Sequence, residues 1–278
     1  MTLHPARASS GVVLVRRDCP EPVVIPARPD RVTSTSHATT LSRGSVSVST
    51  VEHLLAALYA LGIDNMLVEL DGPEVPVLDG SAASFVDLIR AAGIFGQEEP
   101  RATLCVKRTI EVADGQRRIR IEPAHELRIS YVVDFDHPAI GRQEYRAPRV
   151  DAAFFVRQLA RARTFGFLHE VNALWKAGLA QGGSLENTVV LDSSRVVNPG
   201  GLRWPDEFVR HKMLDLLGDL SLLGTAIQGH VFVERGGHSL HHMLVREILH
   251  TPRAWQVLGE EATIPQGLDL VPLAALPG

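Results

Sequence analysis

One stretch of the sequence, HKMLDLLGD, carries three chemically active side chains at four-residue spacing. On a helical wheel His211, Asp215 and Asp219 fall within an arc of roughly 80°, because each residue turns a helix by about 100°. Apolar side chains occupy most of the remaining circumference. The pattern suits a polar helix edge that faces water, and it equally suits two ligands of one metal ion, since His and Asp one turn apart share a face. A solvated edge more often carries Glu, Lys and Arg.

A second candidate is the pair Glu52-His53, which lies where an apolar helix is predicted to begin. One interpretation is structural: residues 49–52, Ser-Thr-Val-Glu, fit a capping box in which Glu52 folds back on the helix start. The alternative is chemical, because the positive end of the helix macrodipole favours the neutral imidazole that binds metals. With His211 and Asp215, His53 would complete three ligands and leave a position for water, as in catalytic zinc sites. Glu52 would then accept a proton from that water.

Hydrophobic periodicity predicts the elements that must position these residues. Short alternating runs between residues 10 and 50 are typical of strands. Two helices follow, over STVEHLLAALYALG and SAASFVDLIRAAG, with the strand NMLVELDG between them. Beyond a polar linker at 96–102, strands are predicted in TLCVKRTIEVADGQRRIRIEP, on both sides of an Asp-Gly turn, and in ELRISYVVDFD. A helix over 151–162, the long helix PDEFVRHKMLDLLGDLSLLG, the strand HVFVERGG and a helix from about residue 239 follow.

Two segments of the chain share an order of features. VEHLL…LG…MLVELDG and VRHKML…LG…VFVERGG both have Val-x-His near a helix start, Leu-Gly at its end, and then a strand and a turn. The match predicts two related α+β domains, over residues 1–97 and 98–278. In such an arrangement His53 and His211 occupy matching places and meet at a pseudo-twofold interface.

Composition narrows the function classes. The formal net charge is −4 and Lys and Arg are scattered along the chain, so no binding surface for nucleic acid is predicted. The two cysteines, Cys19 and Cys105, form no CxxC pair, which is typical of a reducing compartment. The N-terminal apolar run is far too short for a signal peptide, and no window approaches the roughly 20 apolar residues of a membrane span. We expect a cytoplasmic protein without a membrane span.

Four motifs, STVEHLLAALYALGIDNMLVELDGPEVPVLDGSA, RTFGF, FVRHKMLDLLGDL and GGH, resemble the UDP-3-O-acyl-N-acetylglucosamine deacetylase family in the same order and over nearly the whole chain. These enzymes are zinc amidases that commit cells to lipid A synthesis. The resemblance implies an α+β fold of two related β-α-α-β layered domains packed face to face, with an inserted β-α-β excursion at about 164–190. It also implies one Zn²⁺ per chain, an acylated UDP-sugar substrate and a monomer.

The resemblance further implies a role for each candidate residue. The zinc ligands would be His53, His211 and Asp215, with Glu52 as general base, His238 as general acid, Asp219 as the carboxylate that orients it, Thr164 as an oxyanion donor and Lys212 as a cation beside the substrate. The residues that bind the substrate and line the apolar wall for its acyl chain would be Phe165, Phe167, Leu168, Val171, Ala180 and Ser184. Hydrolysis of the N-acetyl amide would release acetate and the free 2-amino sugar nucleotide.

The sequence departs from the family pattern at two places. The family normally opens with a further strand and a motif containing Gly and His, and Met1 falls inside what should be the second strand, so we expect either a start set too late or a first domain without an edge strand. The usual Lys-Ser-Gly-His reads Arg235-Gly236-Gly237-His238, which predicts a looser loop before the histidine. A catalytically silent relative and a zinc amidase acting on another sugar are the competing interpretations.

Overall fold

Short strands dominate the beginning of the chain, as the alternating pattern predicts. The computed structural model describes residues 1–169 and 184–259. The first strands are β1 Thr2–Pro5, β2 Val12–Arg16, β3 Val23–Pro26, β4 Val32–Ser34, β5 Thr40–Arg43, β6 Val46–Val48 and β7 Met66–Leu70. They form a four-stranded sheet in the order β1-β7-β2-β3 and a three-stranded antiparallel sheet, β4-β5-β6. Strand β7 is parallel to β2 and antiparallel to β1.

The later strands build a larger sheet. They are β8 Thr103–Val106, β9 Ile110–Asp114, β10 Arg117–Glu122, β11 Leu127–Asp134, β12 Arg142–Ala147, β13 Phe165–Phe167, β14 Val189–Leu191, β15 Ala226–Glu234 and β16 Trp255–Leu258. Five of them follow the order β12-β11-β15-β10-β9, and the first residues of β15 also pair with β8, which pairs with β16. Strands β13 and β14 form a separate parallel pair.

Five α-helices lie entirely within the described ranges. They are α1 Glu52–Ala60, α2 Ala83–Ala92, α3 Ala152–Phe154 with a π-helical continuation Phe155–Leu159, α4 Glu207–Ser221 and α5 His238–His250. The predicted α+β class is confirmed. The division into two related domains near residue 97 stays a prediction. None of the helices in the described part of the chain has the length and apolarity that a bilayer crossing requires.

Two strand predictions need correction. The sequence predicts one strand before the Asp-Gly turn, but β8 and β9 are separate, because the N–H groups of Lys107 and Arg108 both donate to the Ala254 carbonyl. Strand β12 has no counterpart among the predictions. Its sequence, RQEYRA, is polar at most positions because the strand lies at the edge of the sheet with one neighbour, β11. An edge strand of this kind lacks the apolar alternation that reveals a half-buried strand.

Helix α4 lies between α1 and the large sheet. One side of it packs on β11 and β12, and other sides contact α1 and α5. Its residues from Glu207 to His211 and from Met213 to Leu220 are all buried, the charged ones included. A helix that is covered on all sides needs internal partners for its polar groups. The stripe of His211, Asp215 and Asp219 is therefore not an edge that faces water.

The close approach of α1 to α4 depends on Gly218. A Cβ atom at position 218 would lie 2.2 Å from the backbone oxygen of Glu52 and 2.8 Å from its carbonyl carbon. Both neighbours are backbone atoms that cannot rotate away. Glycine thus allows the two helices to touch through their backbones, and this contact brings Glu52 and His53 beside the polar stripe of α4.

We predict that Gly218→Ala lowers the free energy of unfolding by about 1–3 kcal/mol, because the methyl group forces α1 and α4 apart in a packed interior. Gly72→Ala is the matched control, since a Cβ at position 72 meets nothing within 4 Å. The control should stay within about 0.5 kcal/mol of the wild type. Urea denaturation of the three proteins measures the difference, and equal stability of the two variants would contradict the steric argument.

Candidate metal centre and active site

Three side chains from α1 and α4 converge on one point. His211 Nε2 lies 3.2 Å from Asp215 Oδ1, and His53 Nε2 lies 3.7 Å from the same oxygen. The two imidazole rings are 4.9 Å apart and nearly perpendicular. Two ligand atoms that each lie about 2.0–2.1 Å from a tetrahedral ion are separated by roughly 3.4 Å. The spacing therefore suits one metal ion held by all three residues, and their ligand atoms lie within 4.8 Å of one another.

The hydrogen bonds around the cluster leave His211 Nε2 and Asp215 Oδ1 available to bind a metal ion. His211 donates its Nδ1–H to the Ala162 carbonyl at 3.0 Å, which directs the Nε2 lone pair toward the cluster. Asp215 Oδ2 accepts from Lys212 Nζ at 2.9 Å, whereas the buried Asp215 Oδ1 has no hydrogen-bond partner among the described residues. An orphaned carboxylate oxygen between two imidazole nitrogens is costly unless a cation fills the space. This donor set, two imidazoles and one carboxylate, fits zinc.

The charge states of the cluster suit a metal as well. Burial lowers the pKa of His211, which keeps the ring in its neutral, ligating form. Burial acts to raise the pKa of Asp215, but the facing His211 and Lys212 outweigh it and hold the pKa of that carboxyl well below its usual range. Burial also opposes the charge on Lys212, yet Asp215 raises the pKa of the ammonium group. Asp215 is therefore an anion.

Glu52 lies beside the cluster and does not cap its helix. Its Oε2 accepts from the Thr39 backbone N–H at 3.1 Å, and its Oε1 lies 3.6 Å from His238 Nε2. The capping-box interpretation is wrong: Ser49 donates its hydroxyl to the Pro73 carbonyl, and no side chain caps α1. Thr50 has a left-handed φ of 58°, rare for a β-branched residue, in the turn just before α1. Glu52 is 3% exposed, and burial raises the pKa of its carboxyl group.

His238 and Asp219 form a second buried pair. His238 Nδ1–H donates to Asp219 Oδ2 at 2.8 Å, and Asp219 Oδ1 accepts from the Thr39 hydroxyl at 2.6 Å. Burial acts to lower the pKa of His238, but the carboxylates of Asp219 and Glu52 outweigh it and raise the pKa to about 9. The ring is therefore a cation at neutral pH, with its Nε2–H directed toward Glu52.

A second set of possible ligands, Asp219, His238 and His241, is better explained by hydrogen bonds. The two Nδ1 atoms each lie 2.8 Å from Asp219 Oδ2. This separation is shorter than the roughly 3.4 Å expected of two ligands on one ion, and it is typical of an N–H that donates to a carboxylate. The candidate metal centre is therefore the cluster of His53, His211 and Asp215.

Comparison with known proteins agrees with the geometry. The family model LpxC, described as UDP-3-O-acyl N-acetylglycosamine deacetylase, matches residues 1–250. The chain belongs to this family. The resemblance noted from the four sequence motifs is confirmed.

Several similar proteins carry the same name, UDP-3-O-acyl-N-acetylglucosamine deacetylase. One from Myxococcus xanthus is 48% identical over 270 residues, which cover 97% of this chain and 86% of the relative. One from Methylococcus capsulatus is 45% identical over 94% of this chain and 86% of the relative. One from Nitratiruptor sp. is 43% identical over 96% of this chain and 89% of the relative.

Two residues with predicted catalytic roles remain, Lys212 and Thr164. Lys212 contacts the metal centre through Asp215 and lies 5.4 Å from the centre of the Phe165 ring. Thr164 follows Ala162 by two residues, and its backbone N–H donates to the Gly80 carbonyl at 2.7 Å. Their roles in an LpxC reaction stay predictions.

Aromatic rings form a wall beside His211. The Phe165 ring lies 6.3 Å from His211, 5.7 Å from Phe135 and 5.0 Å from Phe208, and the Phe167 ring lies 6.2 Å from Phe135. Of the other predicted substrate contacts, Leu168 is 41% exposed and Ser184 is exposed at the far end of the insert. Val171 and Ala180 lie outside the described residues. The acyl-chain role of this region stays a prediction.

Sequence reasoning missed several residues that hold the site. Thr39 binds Glu52 and Asp219 at once, yet in the segment HATT it is indistinguishable from an ordinary loop residue. The Ala162 carbonyl carries no side-chain signal at all. Its segment is held by Glu207, which accepts from the backbone N–H and the guanidinium group of Arg163. An Arg and a Glu 44 residues apart give no local pattern.

We predict that His211→Ala abolishes stoichiometric zinc binding, because it removes one of the two imidazole ligands. Loss of one of three protein ligands should lower zinc affinity at least about 100-fold. Elemental analysis after dialysis against a weak chelator measures the metal content.

The control for this experiment is His230→Ala, which removes a histidine that bonds Ser130 on the large sheet and should retain one zinc per chain. Equal metal content in the two variants would contradict the assignment of the centre.

Proposed function

We propose that this chain hydrolyses the N-acetyl group of UDP-3-O-acyl-N-acetylglucosamine, giving UDP-3-O-acyl-glucosamine and acetate, in lipid A biosynthesis. The observation that carries the proposal is the convergence of His53, His211 and Asp215 beside Glu52 and His238, in a chain of the LpxC family. We further propose that the protein acts in the cytoplasm, as a monomer, with one Zn²⁺ per chain and without a nucleic-acid partner.

His53, His211 and Asp215 would hold the zinc ion. A zinc ion bound by three protein ligands lowers the pKa of its water and polarises the carbonyl of a bound amide. The chain's own contribution is to hold the ligands in place. The Ala162 carbonyl orients His211 by accepting its Nδ1–H, and Lys212 Nζ orients Asp215 by donating to Oδ2.

Glu52 serves as the general base. It accepts the proton of the attacking water as the oxygen forms its bond to the acetamide carbon. Burial raises the pKa of Glu52 toward neutral pH. A base with such a pKa can both accept the proton of water and release it again. The Thr39 N–H restrains Oε2, so Oε1 is the oxygen available to the water.

His238 serves as the general acid. As the bond between the carbonyl carbon and nitrogen breaks, His238 Nε2 donates its proton to the departing amine of the sugar. Asp219 keeps the ring charged and holds Nδ1–H, so only Nε2 can deliver a proton. The overall reaction consumes one water and yields acetate and the amine.

The remaining residues bind and orient the substrate. The Thr164 hydroxyl donates to the oxyanion that develops on the carbonyl oxygen, and Lys212 supplies positive charge at the rim. We assign Phe165, Phe167, Leu168 and Ser184 to the passage for the 3-O-acyl chain; Val171 and Ala180, which the family resemblance also assigns to it, lie outside the described residues. Acyl burial would distinguish this substrate from sugars that lack the chain, since each buried CH₂ contributes about 0.8 kcal/mol.

We predict that Glu52→Gln lowers kcat by roughly 10²–10⁴-fold, because the amide cannot accept the water's proton. Zinc content should not change, since Glu52 is not a ligand. Acetate release from UDP-3-O-acyl-N-acetylglucosamine measures the reaction, and the same sugar nucleotide without the acyl chain tests specificity.

Glu111→Gln is the matched control, because Glu111 is exposed on β9 and pairs with Arg118 at 3.3 Å. It should turn over like the wild type. A zinc-loaded wild type that releases no acetate would refute the proposed function. That result would instead indicate a catalytically silent relative. Wild-type turnover in Glu52→Gln would refute the role of the base.

A further inference from the structure

Asp219 has more hydrogen-bond donors than its contact with His238 requires. Its Oδ2 accepts from His238 Nδ1 and from His241 Nδ1, both at 2.8 Å, and its Oδ1 accepts from Thr39. His238 and His241 lie three residues apart in the first turn of α5, so both rings project from one face toward α4. Because the two rings share one oxygen, the position of His241 helps to set where that oxygen lies relative to His238.

His241 is connected in turn to the middle of the large sheet. Its Nε2 lies 2.9 Å from the Tyr131 hydroxyl, and the two rings meet edge to face at 5.9 Å. Tyr131, His241 and Asp219 are each 0% exposed. Burial lowers the pKa of His241, so the ring is neutral, and a ring that donates through Nδ1 accepts through Nε2. The bonds therefore run in one direction, from the Tyr131 O–H through His241 to Asp219.

Tyr131 is a rigid anchor for this chain of bonds. It lies in the centre of β11, with Tyr145 of β12 opposite it on one side and Val233 of β15 on the other. Its hydroxyl also packs against the loop that leads to His238. A Cβ atom at Gly236 would lie 2.4 Å from the Tyr131 hydroxyl oxygen, so only glycine fits there. Gly236, which departs from the family's usual Lys-Ser-Gly-His, is thus required here by the close approach of Tyr131.

We propose that Tyr131 and His241 are positioning residues of the deacetylase reaction, acting through Asp219 on His238. The inference rests on the proposed role of His238 as the proton donor to the leaving amine. The sheet holds the phenol, the phenol orients the imidazole of His241, and His241 places Asp219 Oδ2 opposite His238 Nδ1. His238 Nε2 is then directed toward Glu52, where the leaving amine must lie.

Loss of the phenol hydroxyl has a defined consequence. His241 Nε2 would be a buried acceptor without a donor, and the ring would gain from rotating or changing tautomer. Its Nδ1–H would then no longer fix Asp219 Oδ2. Tyr131 and His241 are both 0% exposed and so are out of reach of a bound substrate, and the effect should therefore fall on kcat and leave KM unchanged.

The test is Tyr131→Phe in the zinc-loaded enzyme, labelled with ¹⁵N-histidine. We expect the wild type to show His241 as the Nδ1–H tautomer by NMR. In the variant the Nδ1–H resonance of His238 should shift, and kcat should fall about tenfold with KM and zinc content unchanged. Tyr145→Phe is the matched control, because its hydroxyl bonds Gln158 and Arg210, and it should leave both readouts unchanged.

A second pair of variants separates positioning from folding. His241→Asn keeps an amide N–H that can reach Asp219 Oδ2, whereas His241→Leu removes the donor; both lose the bond to Tyr131. We expect similar losses of stability in the two variants. Turnover should fall about tenfold in His241→Asn, as in Tyr131→Phe, because the donor to Asp219 remains without its anchor, and it should fall further in His241→Leu.

Two results would overturn the inference: wild-type kcat with an unchanged His238 resonance in Tyr131→Phe, or equal turnover in His241→Asn and His241→Leu. A wild type without deacetylase activity would instead refute the proposed function. In that case the histidine tautomer and the His238 resonance in Tyr131→Phe still decide whether Tyr131 holds the two rings.

Discussion

The backbone contact between α1 and α4 at Gly218 is the constraint on which the site depends. Two histidines from distant parts of the chain can share one ion only if their helices touch, and any side chain at position 218 would meet the Glu52 carbonyl. The same contact places the carboxyl group of Glu52 within reach of His238. A single steric requirement therefore couples the proposed ligands, the proposed base and the proposed acid.

Burial then gives the polar groups their different tasks. Asp215 and Asp219 lie one turn apart on α4 and are equally inaccessible, yet their neighbours differ. Asp215 keeps one oxygen without a hydrogen-bond donor, as a metal ligand must, whereas both oxygens of Asp219 accept hydrogen bonds. An unpaired buried polar group is costly. The unpaired oxygen of Asp215 therefore indicates a cation-binding site, whereas the fully hydrogen-bonded carboxylate of Asp219 indicates a positioning role.

The sequence predicted the parts of this arrangement that depend on local pattern. The spacing in HKMLDLLGD gave a helix with one polar stripe, and the shared Val-x-His order predicted that His53 and His211 meet. The sequence alone could not predict the contacts of Thr39 with Asp219, of the Ala162 carbonyl with His211 or of Tyr131 with His241. These contacts join residues 49 to 180 positions apart and leave no periodic signal. In the sequence Tyr131 is indistinguishable from an ordinary buried position of a strand. Only the structure shows that its hydroxyl bonds His241.

The central claim is that two imidazoles and one carboxylate from α1 and α4 hold a zinc ion. Zinc K-edge X-ray absorption spectroscopy of the purified protein tests it most directly. We predict a shell of nitrogen and oxygen ligands at about 2.0–2.2 Å, with the multiple-scattering signature of two imidazoles and no sulfur. A shell containing sulfur at about 2.3 Å, or only one imidazole, would contradict it.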